Sequence, residues 1–293
     1  MSGIVDTVRP AQKKVRFPIA SSIASIMVHV NFDPSSDGRV RVAADLARRF
    51  DAVLIGVAGW VPGRETGGWF ANELAGTEER CEQIAAELAS LGERFRKVAE
   101  GSVAKLEWKG RMRLPREVIP AEARSADIIV MGPHAAAGDI IHAFDPGTVL
   151  LAAGRPALIV PDSMIGFAGS RALIAWKDTT EARRALQGAL PLLQFASHVA
   201  LVEIAEDVLE NTAYQHLDDI EKYLGWHGIN VNVKSVLPPE KSIPDQLKAT
   251  AAAGGADLIV AGAYGHTRLG EWIFGGVTRE FLRGRETCCF LSN

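Results

Sequence analysis

The sequence predicts an α/β protein built from two tandem, doubly wound, five-stranded parallel-sheet domains related by a pseudo-twofold. Three observations carry that prediction. The 293 residues exceed the roughly 150 expected of one average domain. The strand candidates are short continuous apolar runs, the pattern of strands covered on both faces of a parallel sheet. The chain also repeats itself, and a repeat governs every later assignment.

The repeat is read from two pairs of segments. Ser25–Asp33 (SIMVHVNFD) and the apolar helix pattern that follows it match Ala172–Asp178 (ALIAWKD) and its helix, with Asp33 laid on Asp178 and Phe50 on Phe195. Later, Ser125–His134 (SADIIVMGPH) matches Gly255–Tyr264 (GADLIVAGAY), which lays Asp127 on Asp257 and Gly132 on Gly262. The first copy is longer by about fifteen residues, and the Gly- and Trp-rich stretch Trp60–Thr77 is the place for them.

Taken in order, the first copy reads strand Ile23–Val30, helix Gly38–Arg49, strand Ala52–Val57, helix Thr77–Ala99, strand Ala104–Trp108, helix Pro115–Ser125, strand Ile128–Gly132, helix Gly147–Ala153 and strand Ala157–Val160. The long helix places Ile84, Leu88, Leu91, Phe95 and Val98 three and four residues apart, one apolar face. The second copy reads strand Ala172–Trp176, helix Thr180–Leu193, strand Val199–Ile204, helix Leu209–Trp226, strand Asn230–Val236, helix Pro244–Ala252, strand Leu258–Ala261, helix Val277–Arg283 and strand Cys288–Leu291. Such alternation forces right-handed crossovers and a doubly wound sheet. Pro161, Gly166 and Gly169 mark the junction, giving a lead-in over 1–20 and domains over 21–162 and 170–293.

Composition narrows the function. Apolar residues at 47% and charged residues at 23% exclude a disordered chain. A formal charge of −3 supplies no basic field for nucleic acid or an anionic membrane. Three cysteines, two of them adjacent at Cys288 and Cys289, make no disulfide framework and fit a reducing cytoplasm. Lys13, Lys14 and Arg16 ahead of an apolar run imitate a secretory signal, but Ser21, Ser22, Ser25 and His29 break the run, which reads as a buried strand. The histidines show no metal-ligand spacing.

The chemistry is concentrated in Gly262–Arg279. A buried strand ends there at the carboxyl edge of a parallel sheet, where open α/β folds take their ligands. Gly262 and Gly265 let backbone amides converge on an anion, and Gly275 and Gly276 open a helix whose free amides favour phosphate. His266, Thr267 and Thr278 add polar groups to the same place. Asp178, closing the first strand of this copy, is suited to a ribose, a base or a magnesium ion; alternatively it caps helix Thr180–Leu193, with Glu181 completing a capping box.

The spacing Gly262-x2-Gly265-x9-Gly275 is similar to the universal stress protein signature G-x2-G-x9-G-(S/T). The five-strand repeat resembles that family over nearly the whole chain, and its Rossmann-like, adenine nucleotide alpha hydrolase-like fold is what the resemblance implies. It also implies ATP, with or without magnesium, held by Gly262, Gly265, His266, Thr267, Gly275, Gly276, Val277 and Thr278, with Asp178, Val202 and Glu203 at the nucleoside. Gly276 stands where the family has a hydroxyl. The first copy departs further: Pro133 deletes a backbone donor, Ala135 replaces the second glycine, and Asp139 and Asp145 bring negative charge, although Gly147-Thr148-Val149 resembles the end of the signature.

No nucleophile elbow, Walker lysine or acid–base carboxylate pair appears. The expectation is a cytoplasmic stress-response protein that binds ATP in its second domain as a switch or sensor, with at most slow hydrolysis. The two copies would form an intramolecular pseudo-dimer open to further homodimerisation, facing a protein partner that the sequence does not identify. Two alternatives remain: a nucleotide-free scaffold for protein–protein interaction, and an adenylyl-transferring enzyme of a related superfamily.

Overall fold

A computed structural model of the chain describes residues 23–61, 78–101, 105–133, 143–205, 210–239, 242–264, 276–283 and 286–293. The first half runs β1 (Ser25–His29), α1 (Ser36–Phe50), β2 (Val53–Gly59), α2 (Glu78–Ala99), β3 (Leu106–Arg111), α3 (Pro115–Glu122), β4 (Ile128–Met131), α4 (Pro146–Ala153) and β5 (Ala157–Ile159). The second half repeats it: β6 (Arg171–Trp176), α5 (Thr180–Leu193), β7 (His198–Ile204), α6 (Glu210–Trp226), β8 (Val233–Leu237), α7 (Ile243–Ala253), β9 (Leu258–Gly262), α8 (Gly276–Leu282) and β10 (Cys288–Ser292).

All ten strands join one sheet in the order β3-β2-β1-β4-β5-β10-β9-β6-β7-β8. Each half is therefore a parallel, doubly wound unit with the same internal order. The two meet where β5 and β10 pair antiparallel, Leu158 opposite Phe290 and Ile159 opposite Cys289. Helices cover both faces. α1, α2, α5 and α6 pack on one, over Val28, Leu54, Ile174 and Phe290. α3, α4, α7 and α8 pack on the other, over Met27, Ile129, Ile259 and Leu291. Neighbouring residues of one strand thus enter different cores, which is why the inner strands carry no polar alternation.

A repeated carboxylate fixes the strand starts. Asp127, just before β4, accepts from the amides of Ala24 (2.8 Å) and Ser25 (3.0 Å). Asp257, just before β9, accepts from the amides of Ser170 and Arg171, each at 3.0 Å. The equivalence of Asp127 and Asp257 is thus physical. The matching of Asp33 with Asp178 is not. Ile26 pairs with Ile128 and Ala172 with Leu258, so Ser25 corresponds to Arg171 and Phe32 to Asp178. A slip of one residue exchanges the faces of a strand. The edge strands also differ from the sequence reading: β3 and β8 begin two or three residues later than expected. Wetter residues, such as exposed Glu107 and half-exposed Lys109, interrupt the apolar pattern of these strands.

The segment 161–170 is bound to the first half. Phe167 is buried, and the Arg49 guanidinium donates to the carbonyls of Phe167 (2.7 Å) and Ala168 (2.6 Å). Across the junction Phe50 and Phe195 stack edge to face, with ring centroids 5.3 Å apart.

Phe290 is fully buried where β10 meets β5 and α5. We predict that Phe290→Ala lowers the unfolding free energy by about 3–5 kcal/mol, read from chemical denaturation. Cys288 and Cys289 point into opposite cores. Burial pushes the Cys289 thiol up to about 12 and the Cys288 thiol higher still. Exposed Cys81 is therefore the one of the three thiols that a thiolate-directed alkylating reagent should modify in the native chain at mildly alkaline pH. Mass spectrometry should count all three after denaturation.

Candidate functional site

In a doubly wound sheet the crevice opens where the chain winds away in opposite directions from two adjacent strands. In the second half that place lies beyond the carboxyl ends of β6 and β9, which are hydrogen-bonded neighbours. Trp176 ends β6, with Lys177 and Asp178 next; Gly262 ends β9.

Asp178 does not cap α5. The N-cap is Thr179, whose hydroxyl accepts from the amide of Ala182 at 3.2 Å. The Asp178 carboxylate is instead half-exposed and paired with Arg183 at 2.5 Å. Gly262 has a packing reason to be glycine: a Cβ there would lie 2.5 Å from the amide nitrogen of Ala182 and 2.8 Å from the carbonyl carbon of Glu181. The first turn of α5 therefore rests on the end of β9 and brings its amides to the crevice rim.

Glu203 lies opposite Trp176 in the β6–β7 register and is 3% exposed. Its carboxylate meets Nδ1 of His216 on α6 at 3.1 Å. Burial pushes the Glu203 carboxyl above the usual range; the His216 contact opposes this, and the nearby Asp178 charge adds to the rise. Val202, its neighbour, is buried in the other core and offers the crevice only backbone. Thr278 on α8 is 4% exposed, and its hydroxyl accepts from the amide of Tyr264 at 3.3 Å. Tyr264 has φ of 68°, a left-handed conformation costly for a side chain with a Cβ. Gly276 and Val277 are the first residues of α8. Gly265, His266, Thr267 and Gly275 lie outside the described residues. The structure thus gathers Asp178, Glu203, Gly262 and Thr278 at one sheet edge, and it sets the Val202 side chain apart.

The equivalent edge of the first half is built differently. Asp145 caps α4, accepting from the amides of Gly147 (3.4 Å) and Thr148 (3.0 Å) and from the Thr148 hydroxyl (2.9 Å). A side-chain carboxylate therefore already engages the helix amides that would receive a phosphate. Tyr264 of the second half packs its hydroxyl against Gly147, where a Cβ would collide with it. The Nη1 of Arg39 takes the space that a Cβ on Gly132 would fill. Sequence reasoning missed Arg39 and His29. The signal was present: Arg39, Ala43 and Ala47 share one helical face, and His29 lies inside a buried strand run.

Among the described residues, four buried side-chain atoms at these two edges, His29 Nδ1, His29 Nε2, Arg39 Nε and Trp176 Nε1, have no hydrogen-bond partner. Each unmet buried polar group costs about 1–3 kcal/mol, and such costs gather at functional sites. Among the described residues no group of three or more His, Cys, Asp or Glu is arranged to hold a metal. No helix of the described residues is long and apolar enough to cross a membrane.

A doubled α/β unit with polar groups at each switch point defines a protein of the doubly wound class. Residues 23–141 match the model of the universal stress protein family. The matched residues lie in the first half, and the second half repeats its strand order. The match falls on the half whose glycine motif departs further from the signature. No curated protein matches the chain. A universal stress protein from Archaeoglobus fulgidus DSM 4304 is similar in fold at TM-score 0.68 and 15% identity, covering 92% of this chain and 96% of its own. A universal stress protein from Pseudomonas aeruginosa UCBPP-PA14 is similar at TM-score 0.60 and 16% identity, covering 92% of this chain and 93% of its own.

The raised Glu203 carboxyl has a consequence for stability. Below the ordinary carboxylate range the group is protonated both folded and unfolded. As pH rises from there to the higher folded value, the unfolded chain ionises first, so folding loses stability across that window; above it the cost is constant. Glu203→Gln should remove this loss, and denaturant unfolding followed against pH should show the variant gaining on the wild type across that window and keeping the gain above it. Gly262→Val should destabilise by about 1–3 kcal/mol, because the first turn of α5 must move to admit the side chain.

Proposed function

We propose that the protein binds an adenine nucleotide, ATP, in the crevice of its second half and acts in the cytoplasm as a nucleotide-dependent switch. The observation that carries this reading is the convergence of Asp178, Gly262 and Thr278 at the β6–β9 switch point, on a glycine spacing that resembles the family's nucleotide signature. The left-handed Tyr264 at the start of that segment and the Trp176 indole N–H at the end of β6, unpartnered among the described residues, support a site completed by a ligand. In this reading Asp178 serves the ribose or base and the first-turn amides of α5 serve polar ligand atoms, while the family resemblance assigns the phosphates to Gly265, His266, Thr267, Gly275, Gly276 and Val277. The Glu203 carboxylate, held by His216, lines the nucleoside end, where Val202 contributes backbone. Among the described residues none is positioned as a general base for water, and in this reading the nucleotide serves as a signal.

The scaffold reading has one observation of its own: the hydrogen-bonded β5–β10 junction joins both halves into one ten-stranded sheet. The two readings part on a titration. Calorimetry with ATP, with and without magnesium, should show saturable binding to the wild type. Asp178→Ala should weaken it about tenfold, or ~1.4 kcal/mol. The same substitution should leave the unfolding transition in place, because a half-exposed ion pair such as Asp178–Arg183 contributes little to folding. Absence of binding at millimolar ATP would favour the scaffold.

A further inference from the structure

The crevice of the first half contains a buried cation that is short of acceptors. Arg39 is 6% exposed, and its guanidinium has five N–H donors. Among the described residues it makes one hydrogen bond, a long one of 3.4 Å from Nη2 to Oδ1 of Asn31, and its Nε has none. The carboxylate of Asp162 lies 3.6 Å from the Gly132 Cβ position into which Arg39 reaches. Asp33 is also near enough to be felt, but it is engaged by the amide of Ser35 at 2.8 Å. Neither carboxylate forms an ion pair with Arg39 among the described contacts.

His29 ends β1, whose register with β4 (Val28 opposite Val130) sets it beside the same edge. It is 3% exposed, neither ring nitrogen has a hydrogen-bond partner among the described residues, and Phe144 closes over it edge to face at 4.9 Å. Burial and the Arg39 charge hold its imidazole well below the usual histidine range, so it is neutral. A neutral ring offers one donor and one acceptor, and neither is used. The corresponding position in the second half is Ala175, so this pairing of Arg with His belongs to the first crevice alone.

We propose that the first-half crevice is a binding site for a compact oxyanion, a carboxylate or phosphate group received by the Arg39 guanidinium and the His29 ring, and that it does not take a nucleotide. A planar guanidinium presents paired donors to either group. An imidazole N–H adds a third contact. The local geometry excludes bulk: Arg39 fills the space over Gly132, and the Asp145 carboxylate engages the α4 amides. The inference goes beyond the nucleotide reading of the second half and does not rest on it.

The test uses the full chain and follows thermal unfolding and histidine ring resonances during separate titrations with inorganic phosphate, acetate and malonate, each against chloride at equal ionic strength. One anion class should raise the melting temperature saturably and move the ring signal that is missing from His29→Gln. Phosphate alone would identify a phosphoryl group as the ligand; acetate or malonate alone would identify a carboxylate. Arg39→Met should weaken this response at least about tenfold while leaving the ATP titration as in the wild type. His29→Gln should weaken it independently, should Arg39→Met fail to fold. The proposal is overturned if no anion exceeds chloride at millimolar concentration. It is equally overturned if both variants respond as the wild type does, or if ATP displaces the bound anion in competition.

Discussion

The antiparallel pairing of β5 with β10 is the constraint on which the rest of the molecule depends. Either half alone would end in an open strand edge, an exposed row of amides and carbonyls. Joining the two edges gives one ten-stranded sheet, buries Phe290 and Leu158 in one core and Cys289 and Ile159 in the other, and relates the halves by a pseudo-twofold. Because the junction lies at the middle of the sheet, the two switch points are held at a fixed relation. Tyr264, rising from the end of β9, can then meet Gly147 at the start of α4. The loop that begins the second half's glycine segment therefore touches the helix that closes the first half's crevice.

Equivalent folds at the two crevices carry different chemistry. In both halves an aspartate before the fourth strand pins the start of the first. Beyond the strand ends the halves diverge. The second half presents amides, a hydroxyl and carboxylates along a rim. The first answers its helix amides with Asp145 and fills the space over Gly132 with Arg39. Burying a guanidinium with one long hydrogen bond is costly unless something compensates it, so the first crevice is not simply a worn copy of the second. The shared fold fixes the topology of both halves, while a few side chains such as Arg39 and Ala175 make the two strand edges chemically different.

Much of the fold was legible in the sequence because the strands are buried on both faces and read as unbroken apolar runs. Helix termini were legible where a chemical signal marked them, as Pro115 does for α3 and Pro146 for α4. The edge strands β3 and β8 were displaced because one of their faces is wet and their apolar signal is broken. The alignment of Asp33 with Asp178 failed for a different reason: matching letters ignores which face a residue takes, and only the Asp127 and Asp257 hydrogen bonds reveal the register. At the site, the glycine spacing and Asp178 were legible as motif. The capping role given to Asp178 passed to Thr179, since the hydroxyl one residue closer to the helix reaches the free amide. Arg39 went unread because an arginine in an amphipathic helix is ordinarily assigned to solvent; its burial depends on Gly132, 93 positions away in the chain.

On the proposed function, one fold used twice holds a nucleotide at one crevice only. A crystal structure of the full chain grown with saturating ATP and magnesium tests this most directly. The account predicts nucleotide density beyond the ends of β6 and β9, in contact with Asp178 and the segment after Gly262, and none between Arg39 and His29. Nucleotide density in the first crevice, or in neither, would contradict it.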